Sequence, residues 1–234
     1  MRTLLLLWSA CAMAQTAANP AGHWEGKVQL GEREVALSVD LARDSKNAWI
    51  GSMTAAGSTS VDVPLEEIAA DGGKVRFVSY LPIRAQFEGS LSADGTNLSG
   101  TASNMMGQAK FELKRAGEAK VNTPPPSSEL TKDFEGTWEG SISAGGTVLH
   151  LRLILSAAGD GLARAKLISV DQGNMEFPAT TVAIQGKQLG LDVRPVSGKY
   201  SGTLGAGGEI AGTWEQGGAR MDLTLHRPGV EKKP

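Results

Sequence analysis

An internal repeat is the feature that most constrains how this chain can fold. GHWEG at residues 22–26 returns 114 residues later as GTWEG at residues 136–140. Near the end of each copy, FELKR at residues 111–115 is matched by LTLHR at residues 223–227, 112 residues later. The two copies differ in length by only two residues, so duplication of one folding unit explains the pattern better than chance.

The repeat divides the chain into segments. We assign residues 20–117 to a first repeat, 118–133 to a linker, 134–229 to a second repeat and 230–234 to a tail. The linker, EAKVNTPPPSSELTKD, contains three consecutive prolines, which favour an extended polyproline II segment with no core of its own.

Alternating apolar and polar residues indicate β-strands in both copies. VALSVDL at residues 35–41 and LHLRLIL at residues 149–155 follow a period of two, which is typical of strands with one buried face. The chain has 30 glycines and only 5% aromatic residues, a composition that favours many tight turns. Counting the runs between turn signals gives about eight strands per copy. We therefore expect an all-β fold of two tandem antiparallel up-and-down barrel-like domains, joined by the Pro-rich linker.

The ends of each repeat resemble a known barrel signature. A Gly-x-Trp sequence on the first strand, with an Arg at the end of the last, is similar to the signature of the calycin group, which includes the lipocalins, fatty-acid-binding proteins and avidins. In that group the Trp plugs one end of the barrel and the Arg stacks on its indole. Because closure makes the first and last strands neighbours, we expect Trp24 to contact Arg115 and Trp138 to contact Arg227.

A second resemblance covers nearly the whole of each copy. The sequence from residue 138 to residue 228 is similar to the non-catalytic β domain that precedes α/β-hydrolase or serine-peptidase domains in many exported bacterial proteins. The chain carries no Gly-x-Ser-x-Gly motif for a nucleophile on a strand-to-helix turn, and we expect no hydrolase domain after the second copy. The resemblance implies an accessory or binding role, with no catalytic residue to carry over.

The chain offers few side chains for catalysis or metal binding. A catalytic triad would need one of His23, His150 and His226 beside a positioned serine, and no such arrangement is visible in the sequence. One cysteine cannot form a thiolate cluster for zinc. We expect neither enzymatic activity nor a cofactor or metal.

Trp214 is the strongest candidate for a ligand-binding residue. The first copy has Ala102 at this position, so the common fold does not require the ring, and Trp214 could line a pocket for a small apolar ligand. Alternatively, it fills the core beside a small neighbour such as Gly190. Trp49, whose counterpart is Ala163, leaves the same two possibilities open.

The N-terminus predicts export. Residues 1–14, MRTLLLLWSACAMA, have one basic residue, an apolar stretch too short to span a bilayer and a small-x-small cleavage pattern, as in a secretory signal peptide. We expect a secreted or periplasmic bacterial protein with no transmembrane segment. Ser-Ala-Cys ending at Cys11 also resembles a lipoprotein signal, so a lipid anchor on Cys11 is the alternative.

Charge and architecture limit the partners. A net charge of -2 provides no broad positive field for nucleic acid. An eight-stranded barrel can hold one small ligand, and binding of a small apolar molecule in a barrel interior or mouth is the function that we predict. The alternative is an accessory module that contacts an exported protein partner, because a doubled unit on an extended linker suits bivalent contact.

Overall fold

The computed structural model describes residues 19–81 and 83–229. Within these ranges the chain is all-β, as the alternating pattern predicts, with eighteen strands and one short 3-10 turn. No helix long and apolar enough to cross a membrane occurs in the described ranges. The predicted signal peptide at residues 1–14, with Cys11, and the tail at residues 230–234 lie outside them.

Each repeat supplies nine strands. Those of the N-terminal half, residues 19–117, are β1 (Gly22–Leu30), β2 (Arg33–Arg43), β3 (Trp49–Ala55), β4 (Val63–Pro64), β5 (Glu66–Asp71), β6 (Lys74–Ser79), β7 (Ala85–Leu91), β8 (Asn97–Asn104) and β9 (Gly107–Gly117). Those of the C-terminal half, residues 134–229, with the 3-10 turn η1 (Arg194–Val196), are β10 (Gly136–Ala144), β11 (Thr147–Ala157), β12 (Ala163–Ser169), β13 (Met175–Pro178), β14 (Thr181–Gln185), β15 (Gln188–Val193), β16 (Gly198–Leu204), β17 (Ile210–Gln216) and β18 (Ala219–Leu225).

The N-terminal half forms one nearly closed, barrel-like sheet. Its nine antiparallel strands lie in the order β4-β3-β2-β1-β9-β8-β7-β6-β5, so the first and last strands of the repeat are paired. The two edge strands, β4 and β5, are consecutive in the chain and are separated only by Leu65. The sequence predicts about eight strands, and the structure has nine. The additional strand arises because the segment that contains β4 and β5 is interrupted at Leu65, so that β4 pairs with β3 and β5 pairs with β6.

The C-terminal half consists of a four-stranded and a five-stranded sheet around one core. The sheets meet between β10 and β18, where Glu139 and His226 exchange two backbone hydrogen bonds of 2.8 Å each. On the other side, Ser128 accepts a hydrogen bond from Ala163 on β12 and donates one to Val182 on β14, both of 2.8 Å. Part of the Pro-rich segment therefore completes the wall of the C-terminal half.

Each half has its own hydrophobic core, and the halves are in contact. Ser60, in the connection between β3 and β4, donates its hydroxyl to the Pro195 carbonyl at 3.1 Å, and its Oγ lies 3.0 Å from the Ser197 Oγ. Arg194 donates to the Asp62 carbonyl at 3.2 Å. Three apolar side chains are buried outside both core clusters: Val78, Tyr80 and Ile168. The side-chain contacts of Ser60 and Arg194 link the two repeats.

A Trp–Arg stack closes one end of the N-terminal sheet. Trp24 is fully buried, and the Arg115 guanidinium lies 4.3 Å from the centroid of its ring. The guanidinium also donates to the backbone carbonyls of Asn19 at 2.6 Å, of Ala21, and of Gly95 at 2.9 Å. It therefore ties the start of β1 to the turn between β7 and β8.

The same stack recurs in the C-terminal half. The Arg227 guanidinium lies 3.8 Å from the centroid of the Trp138 ring. A side chain at Gly22 would overlap Arg115, and a Cβ at Gly136 would lie 2.8 Å from Arg227 Nη1. The glycine of the Gly-x-Trp sequence is thus required because it leaves room for the arginine.

Substitution of Arg115 tests the importance of this closure. Arg115→Lys keeps the positive charge, but the ammonium group cannot donate hydrogen bonds to three carbonyls and also cover the Trp24 ring. We expect it to lower the free energy of unfolding by about 2 kcal/mol. Chemical denaturation followed by circular dichroism would measure the loss against Arg33→Lys, a change at an exposed position. Equal stability of the two variants would contradict the closing role.

Candidate functional site

A cavity of about 700 Å³ lies inside the N-terminal sheet, at the end opposite Trp24. Its rim is formed by the connections between β1 and β2, β3 and β4, β6 and β7, and β8 and β9. These connections contribute Gly31, Ala56–Ser58, Ile83 and Met106 respectively. In an up-and-down sheet, alternate connections lie at the same end, so the four meet around one mouth.

The cavity wall is apolar. Inward-facing side chains such as Leu37, Met53 and Phe87 line it, and no charged side chain is among the described residues of its wall. Phe87 is the aromatic residue of the described lining, and behind it in the core lie Phe77, with ring centroids 4.8 Å apart, and Phe111, at 5.4 Å. The polar lining residues are Ser58, Asn104 and Gln108. Such a wall favours apolar molecules, because it offers no partner to a buried charge.

Large apolar side chains are exposed at the mouth. Leu30 is 49% exposed and Met106 is 81% exposed, although both line the cavity. Apolar surface concentrated at an opening is typical of a binding site, because a ligand entering there removes that surface from water.

The two repeats differ at two positions that decide whether the interior is filled. Ala102 on β8 pairs with Phe87, and Trp214 on β17 pairs with Tyr200 in the equivalent register. The Trp214 indole packs on Gly198, where any Cβ would overlap the ring.

The residue equivalent to Gly198 is Ala85, which also begins its strand and pairs with the last residue of the strand before it. Ala85 and Ala102 both line the cavity. Two alanines therefore leave open in the first repeat the space that a Trp–Gly pair fills in the second.

The positions of Trp214 and Trp49 do not support the ligand-binding role considered from the sequence. Trp214 is 2% exposed, so it fills the C-terminal core and presents almost no ring surface to a ligand. Its small neighbour is Gly198, not Gly190, where a Cβ would have ordinary contacts of 3.6 Å or more. Trp49 lies at the start of β3, away from the cavity rim, and Arg43 covers its ring at 4.2 Å.

The C-terminal half supports the rim of the cavity. Trp214 donates its indole N–H to the Gln216 side chain at 3.1 Å, and Gln216 donates to the Val196 carbonyl in η1 at 2.8 Å. The same turn receives the hydroxyl of Ser60, two residues beyond the rim residue Ser58. A chain of hydrogen bonds thus connects the filled core to the mouth of the open one.

The histidines lie outside the cavity. His23 Nδ1 is 2.9 Å from Asp40 Oδ1, and His23 Nε2 is 3.3 Å from Glu25 Oε1. Burial disfavours the charged imidazole, but the hydrogen bond and charge of Asp40, with a smaller contribution from Glu25, outweigh it and raise the pKa of His23. His150 pairs with Asp171 at the surface, 2.9 Å away. In the described part of the chain, no cluster of three or more His, Cys, Asp or Glu residues could hold a metal ion.

Comparison with known proteins assigns no family. No family model matches the chain, and no curated protein matches it significantly. One similar solved structure is described as "a putative outer membrane protein" from Bacteroides fragilis, with 14% identity and a TM-score of 0.28 over 88% of this chain and 95% of that one. Another is a protein of unknown function from the DUF3598 family of Nostoc punctiforme, with 13% identity and a TM-score of 0.23 over 91% and 96% of the two chains.

A pair of glycine substitutions tests the filled core. Gly-to-Ala changes within a strand ordinarily stabilise by about 0.5–1 kcal/mol. At Gly198 the sign should reverse, because the new methyl group meets the Trp214 ring, and we expect a loss of about 1–3 kcal/mol. Gly190→Ala is the matched control with room for its methyl group. Denaturation midpoints that are the same for both variants would show that Trp214 does not pack against Gly198.

The raised pKa of His23 predicts a pH-dependent contribution to stability. Because the pKa is raised in the folded state, the stabilisation is complete below the ordinary value of about 6.5 and is lost as the pH rises through the folded-state value. The difference in unfolding free energy between the unchanged protein and His23→Gln should therefore be larger at pH 5.5 than at pH 8.5. In an Asp40→Asn background this pH dependence should nearly disappear. If the difference in unfolding free energy between the unchanged protein and His23→Gln is the same at both pH values, the His23–Asp40 pair makes no pH-dependent contribution to stability.

Proposed function

We propose that the two repeats are tandem barrel domains of an exported protein, and that the N-terminal domain binds one small apolar molecule in its interior. The observation that carries the proposal is the cavity of about 700 Å³, whose described wall has no charged side chain. Its volume lies within the range of roughly 300–1,000 Å³ that is typical of small-molecule sites. Because the wall carries no acid–base pair, the role is binding without chemistry.

The expected affinity follows from the area that a ligand can bury. A ligand that buries about 400 Å² of apolar surface gains about 10 kcal/mol from the hydrophobic effect. The loss of translational and rotational freedom on binding costs at least about 4 kcal/mol and reduces this gain. The remaining gain of at most about 6 kcal/mol corresponds to a dissociation constant of about 40 μM or weaker for a ligand of this size.

The division of labour between the repeats also supports the proposal. The C-terminal domain keeps the same topology but fills its interior with Trp214, and its turn η1 contacts the connection that carries part of the rim. We assign it a supporting role: it holds the mouth of the binding domain, and its filled core is not the binding site.

An accessory role towards an exported protein partner is the second candidate. Met105 and Met106, at the turn between β8 and β9, are both at least 80% exposed, and flexible methionines suit adaptable contacts with other proteins. Because Met106 also lines the cavity, a partner bound at this turn would cover the mouth. Such a partner should therefore compete with an apolar ligand.

Copying the filled core into the first repeat tests the proposed site. The double substitution Ala85→Gly and Ala102→Trp reproduces the Trp–Gly pair of the second repeat and should fill the cavity. The neutral fluorescent probe N-phenyl-1-naphthylamine should bind the unchanged protein at one site, and the double variant at least about tenfold more weakly. A tenfold loss corresponds to about 1.4 kcal/mol, well below the full hydrophobic gain.

Two controls make this result interpretable. Ala85→Gly alone leaves the cavity open and should keep its affinity. Ala109→Trp, at the β9 residue that pairs with Ala102, fills the cavity from the neighbouring strand and should weaken binding as the double variant does. Unchanged circular dichroism would show that the variants fold. Unaltered probe affinity in both folded tryptophan variants would place the probe elsewhere and refute the proposed site.

A further inference from the structure

A groove of about 490 Å³ lies between the two halves, next to the cavity. The N-terminal half lines it with residues of the β6–β7 and β8–β9 regions, and the C-terminal half lines it with Gly173–Phe177. Ile83 and Asn104 line both the groove and the cavity. The two spaces are therefore neighbours across the rim.

The groove differs from the cavity in its chemistry. Arg84 follows Ile83 directly, so the lining changes from apolar to charged within one residue. Gln86, Asn104 and Asn174 add side-chain amides to the groove. Asn104 accepts the Met106 N–H through its Oδ1 at 2.8 Å, which orients the carboxamide at the rim. A molecule that occupies both spaces should be apolar at one end and polar at the other.

The charges of the groove favour a negative polar end. Glu176, the acidic residue of the described lining, is balanced by Lys166, whose Nζ lies 2.8 Å from Glu176 Oε2. Arg84 has a weaker ion pair, because its Nη2 is 3.4 Å from Glu67 Oε1 and its side chain is about half exposed. It also hydrogen-bonds Tyr80 and interacts with the charge of Glu66, which interacts with Arg164 and Lys166 as well. A guanidinium can bind a carboxylate or a phosphate through two parallel hydrogen bonds.

From this arrangement we infer that the ligand is a single-chain amphiphile with an anionic head, whose apolar chain occupies the cavity while its carboxylate or phosphate binds Arg84 in the groove. The inference rests on the proposed function, because the cavity must first accept the apolar chain. It also gives the C-terminal half a direct part in recognition, since Asn174 and Met175 form the opposite side of the groove.

Ligands with the same chain and different heads test the inference. Displacement of N-phenyl-1-naphthylamine from the full chain should be measured with 1-dodecanol, dodecanoate, dodecyl phosphate and dodecyltrimethylammonium, all below their micelle-forming concentrations. We expect one or both anionic ligands to bind about tenfold more tightly than the cationic one, with dodecanol between them. Comparison of dodecanoate with dodecyl phosphate shows whether a carboxylate or a phosphate is preferred. Raising the salt concentration should reduce the preference.

Substitutions of Arg84 locate the preference. Arg84→Gln should abolish the discrimination between anionic and cationic heads, whereas Arg84→Lys should retain part of it. Arg76→Gln, on β6 outside the groove, is the matched control and should behave like the unchanged protein. Probe binding without a head-group preference, or a preference that survives in Arg84→Gln, would overturn the inference and leave the proposed function standing. Failure of the unchanged protein to bind the probe or dodecanol would overturn both.

Discussion

Trp214 lies on Gly198 in the C-terminal half, where the equivalent positions of the N-terminal half hold Ala102 and Ala85. Protein interiors are closely packed, so the sizes of these side chains determine how much space remains between them. The second repeat has a tryptophan and a glycine where the first repeat has two alanines. One interior is packed by its own side chains, and the other has about 700 Å³ of space. The proposed binding role, the position of the mouth and the supporting role of the second repeat all depend on this difference.

The end of the cavity opposite its mouth is closed. Trp24 fills the closed end, and Arg115 joins the first strand to the turn between β7 and β8 through backbone carbonyls. At the open end, the C-terminal half holds the connection between β3 and β4 through Ser60, and Gln216 links that contact to Trp214. In the proposed function, the C-terminal half therefore supports the mouth of the cavity. Duplication followed by divergence at a few interior positions accounts for both roles.

Local sequence patterns were sufficient for the fold class, because alternation and turn signals depend on neighbouring residues. The contact of Trp24 with Arg115 was predicted from the calycin-like signature and from pairing of the first and last strands, and the Arg115 guanidinium lies 4.3 Å from the centroid of the Trp24 ring. The site was harder to predict. The Ala102–Trp214 difference is visible in the sequence, but it leaves open whether Trp214 lines a pocket or fills the core, and it does not show that the space lies in the copy with the alanine. To predict the open space, one must know that Gly198 lies beside Trp214. That contact depends on the pairing register of β16 with β17, which the sequence does not show. The interruption at Leu65 and the wall residue Ser128 likewise depend on tertiary pairing.

The most direct test of this account is to locate a bound apolar molecule by NMR. Nuclear Overhauser effects between the ring protons of N-phenyl-1-naphthylamine and the methyl groups of the full chain report contacts within about 5 Å. The account predicts contacts with Leu37 and Met53, which line the cavity of the N-terminal half. Contacts confined to core methyl groups of the C-terminal half, such as those of Leu153 and Leu191, would contradict it.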